Sequence, residues 1–189
     1  MFIEKLFALI IGLLFLFVLA CDGPSGSAEH KTVTLTSQRT LKSSPAFWDY
    51  AASSNMLQVE IGQLAIERGD ESVKVMAEKA VGFHSQALKQ LKAIARKHMG
   101  IQLPDSLSGA DSNLIKEFEL LEGEKFNARY KAFISNSHQL QLSRYQEALQ
   151  KADDQETREW LDALVRHLHE ELGDLDKAEA DSLHRETLL

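Results

Sequence analysis

The sequence predicts an all-α protein built as a four-helix bundle, with a short extra helix in the connection between the second and third long helices. Apolar residues recur at helical spacing in four long segments, and glycine or proline residues separate these segments. The only stretch that alternates like a β-strand, residues 32–36, has no later stretch with which it could pair. These two observations together favour helices throughout.

The first two long helices are delimited by residues that commonly begin and end helices. Ser44 followed by Pro45 predicts an N-cap and a first-turn proline, and Gly69 predicts the end of this helix. Asp70 is a candidate N-cap for the second helix, which we expect to end at Gly100.

The second half of the chain predicts one short and two long helices. The short helix is expected over Asp111–Leu121, the third long helix over Glu124–Lys151, and the fourth from Asp154 to about Lys177. The connection between long helices two and three spans about two dozen residues, which exceeds the usual 2–8 residues of a bundle turn. A ferritin-like crossover would use this length, and a simple up-down bundle with a helical excursion is the alternative.

The N-terminus has the layout of a bacterial lipoprotein signal peptide. Fifteen apolar residues, Leu6–Ala20, precede Cys21, the only cysteine of the chain, and are too few to span a bilayer comfortably. Cys21 is therefore the predicted lipidation site, while a plain signal peptide or a short anchor helix is the alternative. The predicted organisation is a signal peptide at 1–20, a lipidated flexible tether at 21–44, the bundle domain at 45–177 and a polar C-terminal tail at 178–189.

The predicted anchor indicates a location at the bacterial cell envelope, facing the periplasm, with the membrane as a partner through the lipid. Asp22, directly after Cys21, resembles the inner-membrane retention signal of enteric bacteria, but sorting rules vary and the choice between inner and outer membrane stays open. The formal net charge of -7 argues against a nucleic-acid partner, which would favour a basic surface.

Three histidines are expected at one height of the bundle. His84, His138 and His167 each lie about thirteen residues after the predicted start of their helix, roughly 20 Å along it. Glu60 of the first helix lies only a few residues from this height. One interpretation is a transition-metal site for copper, zinc, nickel or iron, with Glu60 as a fourth ligand. The other is a layer of buried polar residues that fixes helix register without a ligand.

Known catalytic patterns are absent from the sequence. No acidic residue lies three positions before His84, His138 or His167, so the Glu-x-x-His pairs of a di-iron oxidase are missing. The sequence also has no Gly-rich phosphate loop and no nucleophile elbow. We therefore expect a non-enzymatic protein that binds a metal or small ligand, or alternatively a structural or interaction module; a metal oxidoreductase is the third candidate.

The order of several short motifs resembles a known bacterial envelope family. These motifs are Phe47 to Leu64 with Val59-Glu60-Ile61-Gly62 at its centre, His84, Leu103-Pro104, the aromatic-rich stretch from Phe126 to His138, and the closing run from Leu161 to Leu168. In this order they resemble the family catalogued as domain of unknown function 4142, often labelled outer membrane protein. The resemblance implies a ferritin-like helical bundle.

Two positions depart from that family pattern. The family usually carries an acidic residue immediately before the histidines of long helices two and three, where this chain has Phe83 and Ser137. Any role that required those two carboxylates is therefore not expected here.

Overall fold

The computed structural model describes the chain at position 41 and over residues 44–97 and 101–186. These residues form five helices and no strand, which confirms the all-α prediction. No helix in the described part of the chain is both long enough and apolar enough to cross a membrane. The predicted signal peptide and Cys21 lie outside the described residues, as does most of the predicted tether.

Four helices are long and one is short, and all five follow the order expected from the sequence. They are α1 (Pro45–Arg68), α2 (Glu71–Lys97), α3 (Gly109–Glu119), α4 (Gly123–Lys151) and α5 (Gln155–Glu186).

Two aspartates cap helices at the predicted positions. Asp70 accepts a hydrogen bond from the backbone N–H of Val73 at 2.8 Å, and Asp154 accepts one from Thr157 at 2.8 Å. Asp70 also exchanges two hydrogen bonds with the side chain of Asn127, at 3.0 and 3.1 Å. The turn between α1 and α2 is thereby joined to the N-terminal part of α4.

The helices pack as two sequential pairs that also contact each other. Helix α1 lies along α2, and α4 lies along α5. Helix α1 further contacts α3 and α4, and α2 further contacts α5. Gly62 allows the close approach of α1 and α2, because a Cβ atom at this position would lie 2.5 Å from Cγ2 of Val81.

The apolar core is divided into two clusters. The Trp cluster contains, among others, Leu41, Trp48, Ala87, Leu91, Tyr145, Trp160, Leu161, Leu164 and Leu168. The Phe cluster contains, among others, Ile61, Val73, Ala77, Phe118, Phe126, Tyr130, Phe133 and Ile134. The sequence positions between the two clusters on α1, α2 and α4 carry buried polar side chains: Asn55, Gln58, His84, His138 and Gln141. We call these residues, with His167 and Glu171 of α5, the histidine layer.

The edges of the domain differ from the sequence-based boundaries. Leu41, assigned to the tether, is only 3% exposed, and its carbonyl oxygen accepts a hydrogen bond from the indole of Trp48 at 3.2 Å. At the other end α5 continues through most of the predicted polar tail, to Glu186. No glycine or proline interrupts the last turns, and the Asp174–Lys177 ion pair at 3.8 Å lies at a helical i,i+3 spacing.

Candidate metal centre

The structure brings the three predicted histidines together between the two apolar clusters. The ring centroid of His84 on α2 lies 5.8 Å from that of His138 on α4 and 5.7 Å from that of His167 on α5. His84 and His138 are fully buried, whereas the side chain of His167 keeps 15% of its surface exposed. The three histidines therefore lie at one height of the bundle, as their spacing in the sequence predicts.

The carboxylate beside these rings belongs to Glu171. Its Oε2 atom lies 3.2 Å from Nδ1 of His138 and 3.3 Å from Nε2 of His167. One possible ligand atom each from His84, His138 and Glu171 lie within 4.8 Å of one another. Two imidazoles and one carboxylate thus face a common point.

The expectation for Glu60 is corrected by the structure, which leaves this side chain exposed and outside the cluster. On α1 the buried polar residues are Asn55 and Gln58, and Glu60 lies two residues after Gln58, roughly 200° around the helix. Glu171 was missed, although a signal was present: it follows His167 by four residues and so shares its helix face.

Asn55 fixes the protonation pattern of His84. The amide nitrogen of Asn55 donates to the carbonyl of Ala51 at 2.7 Å, which turns Oδ1 toward Nδ1 of His84 at 2.9 Å. Because Oδ1 can only accept, Nδ1 must carry the ring hydrogen, and Nε2 keeps its lone pair. That Nε2 atom is buried and has no hydrogen-bond partner among the described residues.

The atoms around Glu171 are close together but not hydrogen-bonded. Both ring nitrogens of His138, Nε2 of His167 and Oε2 of Glu171 are buried, and no described residue is aligned to hydrogen-bond any of them. The 3.2 and 3.3 Å separations to Oε2 are short enough for ion pairs, but these atoms are not aligned for hydrogen bonds. Such a group of converging, unsatisfied atoms fits the donor set of a metal ion.

Burial keeps the two inner histidines neutral. Desolvation lowers the pKa of His84 well below its ordinary value, and the neighbouring histidines lower it further. Desolvation also lowers the pKa of His138 to about 4, although Glu171 opposes this effect. Neutral imidazole is the form that binds a metal, so both rings are ready for ligation at neutral pH.

The two positions that depart from the family pattern contact the histidine layer. The ring of Phe83 stacks on His167, with centroids 3.5 Å apart and planes inclined by 15°, and meets His84 edge-on at 5.4 Å. Ser137 accepts a hydrogen bond from Nε2 of Gln58 at 2.8 Å. Both residues therefore support the layer without supplying charge to it.

Comparison with known proteins identifies one family. The family described as domain of unknown function (DUF4142) matches residues 30–178, most of the chain. No curated protein and no solved structure matches the chain. The match includes all five described helices except the last turns of α5, and the histidine layer lies within it. The chain belongs to the DUF4142 family.

Proposed function

We propose that this domain binds one divalent transition-metal ion through His84, His138 and Glu171. Nitrogen and carboxylate ligands suit zinc, copper, nickel and iron. Such ligands lie about 2.0–2.2 Å from the ion, so two of them are at most about 4.4 Å apart. The separations of up to 4.8 Å in the cluster need only a small closing movement of the side chains.

The observation that carries the proposal is the lone pair of His84 Nε2. Asn55 holds the other nitrogen of this ring, as residues behind a metal ligand commonly do, and thereby leaves Nε2 free to bind. The competing interpretation is a structural polar layer. Buried polar groups in such a layer are normally hydrogen-bonded to each other, whereas here the ring nitrogens of His138 and the carboxylate of Glu171 are not.

His167 is proposed to orient the carboxylate rather than to bind the ion. It lies outside the group whose ligand atoms converge within 4.8 Å, while its Nε2 atom lies 3.3 Å from Oε2 of Glu171. Stacking on Phe83 holds the ring in that position.

The proposed architecture around the site is a ferritin-like bundle. In that topology the first long helix neighbours the second and third, and the fourth neighbours the second and third. The contacts of α1 with α2 and α4, and of α5 with α4 and α2, support this arrangement. The connection of 25 residues between α2 and α4 is long enough for the crossover.

Metal analysis of full-length protein produced without an affinity tag tests the proposal. After removal of metal with a chelator, titration with Zn²⁺, Cu²⁺ or Ni²⁺ should reach one ion per chain. His84→Gln and Glu171→Gln should each weaken binding by more than about 100-fold, because each removes one of only three protein ligands.

His169→Gln is the matched control, because His169 is an exposed histidine on the same helix as Glu171. This variant should bind metal like the wild type. Equal affinity in all three variants, or no saturable binding to the wild type, would favour the structural layer instead.

We further propose that a lipid on Cys21 holds this non-enzymatic domain at the periplasmic face of the envelope. The single cysteine directly after an apolar stretch supports this placement. Cys21→Ser should leave an uncleaved, unlipidated precursor, detectable by mass spectrometry of the N-terminal peptide. Recovery of wild-type protein without lipid in the soluble fraction would contradict the anchor.

A further inference from the structure

Three protein ligands leave an ion at the proposed site with room for one more ligand. A zinc-like ion takes four ligands, and sites with three protein ligands keep the fourth position for a water molecule or a substrate. His167 lies outside the group of ligand atoms that converge within 4.8 Å, and its ring stacks on Phe83. The fourth ligand therefore has to come from outside the protein.

Gln58, a member of the histidine layer, has a buried acceptor without a partner among the described residues. The hydroxyl of Ser137 donates to the carbonyl of Ile134 at 3.2 Å, so its oxygen accepts from Nε2 of Gln58 at 2.8 Å. This bond fixes the orientation of the amide and leaves Oε1 of Gln58 as the free acceptor. Oε1 is buried and has no partner among the described residues.

Gln141 presents a second acceptor of the same kind. It follows His138 by three residues, hence on the same face of α4, and is only 3% exposed. Its Oε1 atom is also buried without a hydrogen-bond partner among the described residues. Each buried acceptor calls for a hydrogen-bond donor, and a metal-bound water molecule has two hydrogens to donate.

The charge of the site also calls for an external ligand. Two neutral imidazoles and one carboxylate leave a divalent ion with one uncompensated positive charge in a layer where His84 and His138 are fully buried. An uncompensated buried charge is costly, and a bound monoanion would remove it.

We propose that the metal site inferred above keeps one coordination position for a water molecule. This water donates hydrogen bonds to Gln58 and Gln141, and small monoanions replace it. The site is thus a ligand-binding centre as well as a metal site. The proposal depends on the proposed metal function, and the experiment below separates the two.

Full-length protein loaded with Co²⁺ in place of the native ion provides the test, because the visible absorption of Co²⁺ reports changes in its ligands. Titration with azide should shift the cobalt bands saturably, with one azide per cobalt and no loss of metal. His167→Gln should still bind cobalt, about 10- to 100-fold more weakly, since this residue is assigned to positioning the carboxylate.

Gln141→Leu tests the acceptor role. Loss of one hydrogen bond to water should raise the apparent azide affinity about 2- to 10-fold, because azide competes with a less firmly held water. Gln146→Leu is the matched control, because Gln146 is exposed on the same helix, and it should leave the azide affinity unchanged.

The outcomes are distinguishable. Failure of Co²⁺ to bind at all would overturn the metal site and this proposal together. Cobalt that binds but whose spectrum does not respond to azide would overturn the open position alone. A cobalt spectrum that responds to azide in His167→Gln but not in the wild type would identify His167 as the fourth ligand and refute the proposal while leaving the metal function intact.

Discussion

Acidification should destabilise the metal-free protein through His138. The pKa of this ring falls from 6.5 to about 4, because desolvation outweighs the opposing effect of Glu171 and the neighbouring His167 adds to the lowering. The unfolded chain therefore binds more protons than the folded protein between these two values. Stability rises with pH wherever the unfolded state binds more protons, so it must fall as the pH drops below about 6.5.

The size of the effect follows from the two pKa values. For one ring that titrates at 6.5 when unfolded and at about 4 when folded, proton linkage removes about 2 kcal/mol of unfolding free energy between pH 7 and pH 5. His84 faces the same cluster, and its lowered pKa gives an effect of the same sign. A loss of about 2 kcal/mol is a large part of a typical stability of about 5–15 kcal/mol.

Urea unfolding followed by circular dichroism, with a chelator present, measures this loss. With a urea dependence of about 2 kcal/mol per M, the midpoint should fall by about 1 M between pH 7 and pH 5 from His138 alone. Other titrating groups also contribute, so the informative quantity is the difference between variants. In His138→Gln the pH-dependent loss should be about 2 kcal/mol smaller than in the wild type.

His169→Gln serves as the control, because this histidine is exposed and lies outside the histidine layer. Identical pH dependence in His138→Gln and wild type would show that His138 is hydrated in the folded protein. If the attraction of Glu171 outweighed desolvation, the pKa of His138 would be raised, and acidification would stabilise the protein instead. Either result would refute the reasoning from burial.

Three further predictions concern packing and are checked by urea or thermal unfolding at neutral pH. Phe133→Ala should cost about 3–5 kcal/mol because it empties a buried site in the Phe cluster, and near-wild-type melting would contradict this placement. Gly62→Ala should cost about 1–3 kcal/mol through its clash with Val81, and adding Val81→Ala should recover most of the loss; no recovery would exclude the clash as the cause. Tyr145→Phe should cost about 1–2 kcal/mol by removing the 2.8 Å hydrogen bond to Ser54, so unchanged stability would show that this bond contributes nothing.

Helix starts could be predicted because they are determined locally. Asp70 and Asp154 each lie immediately before an amphipathic segment, and each accepts a hydrogen bond from the backbone N–H three residues later. The capping group and its partner are neighbours in the sequence, so no knowledge of the tertiary structure was needed.

The height of the histidines was predictable for a related reason. Rise along a helix accumulates uniformly, at about 1.5 Å per residue, so residues near the middle of long helices share a height whichever way each helix runs. His84, His138 and His167 accordingly lie together in the structure.

The identity of the carboxylate was not predictable in the same way. Each residue turns about 100° around a helix, so nearness in height does not determine which face a side chain occupies. Glu60 has nearly the right height and the wrong face, whereas Glu171 shares the face of His167 one turn further along α5. The boundary at Leu41 was missed because its burial depends on Trp48, seven residues away, and not on local sequence.

The histidine layer has opposite effects on folding and on binding. It separates the Trp cluster from the Phe cluster, and each buried polar atom left without a partner costs about 1–3 kcal/mol in the metal-free protein. An apolar layer would hold the helices together more firmly, but it could not bind an ion. Because a ligand that binds only the folded state stabilises it, metal should restore stability that the layer removes. The rise in unfolding free energy on adding metal should therefore be lost in Glu171→Gln and kept in His169→Gln, which connects the fold, the charge of the layer and the proposed function in one measurement.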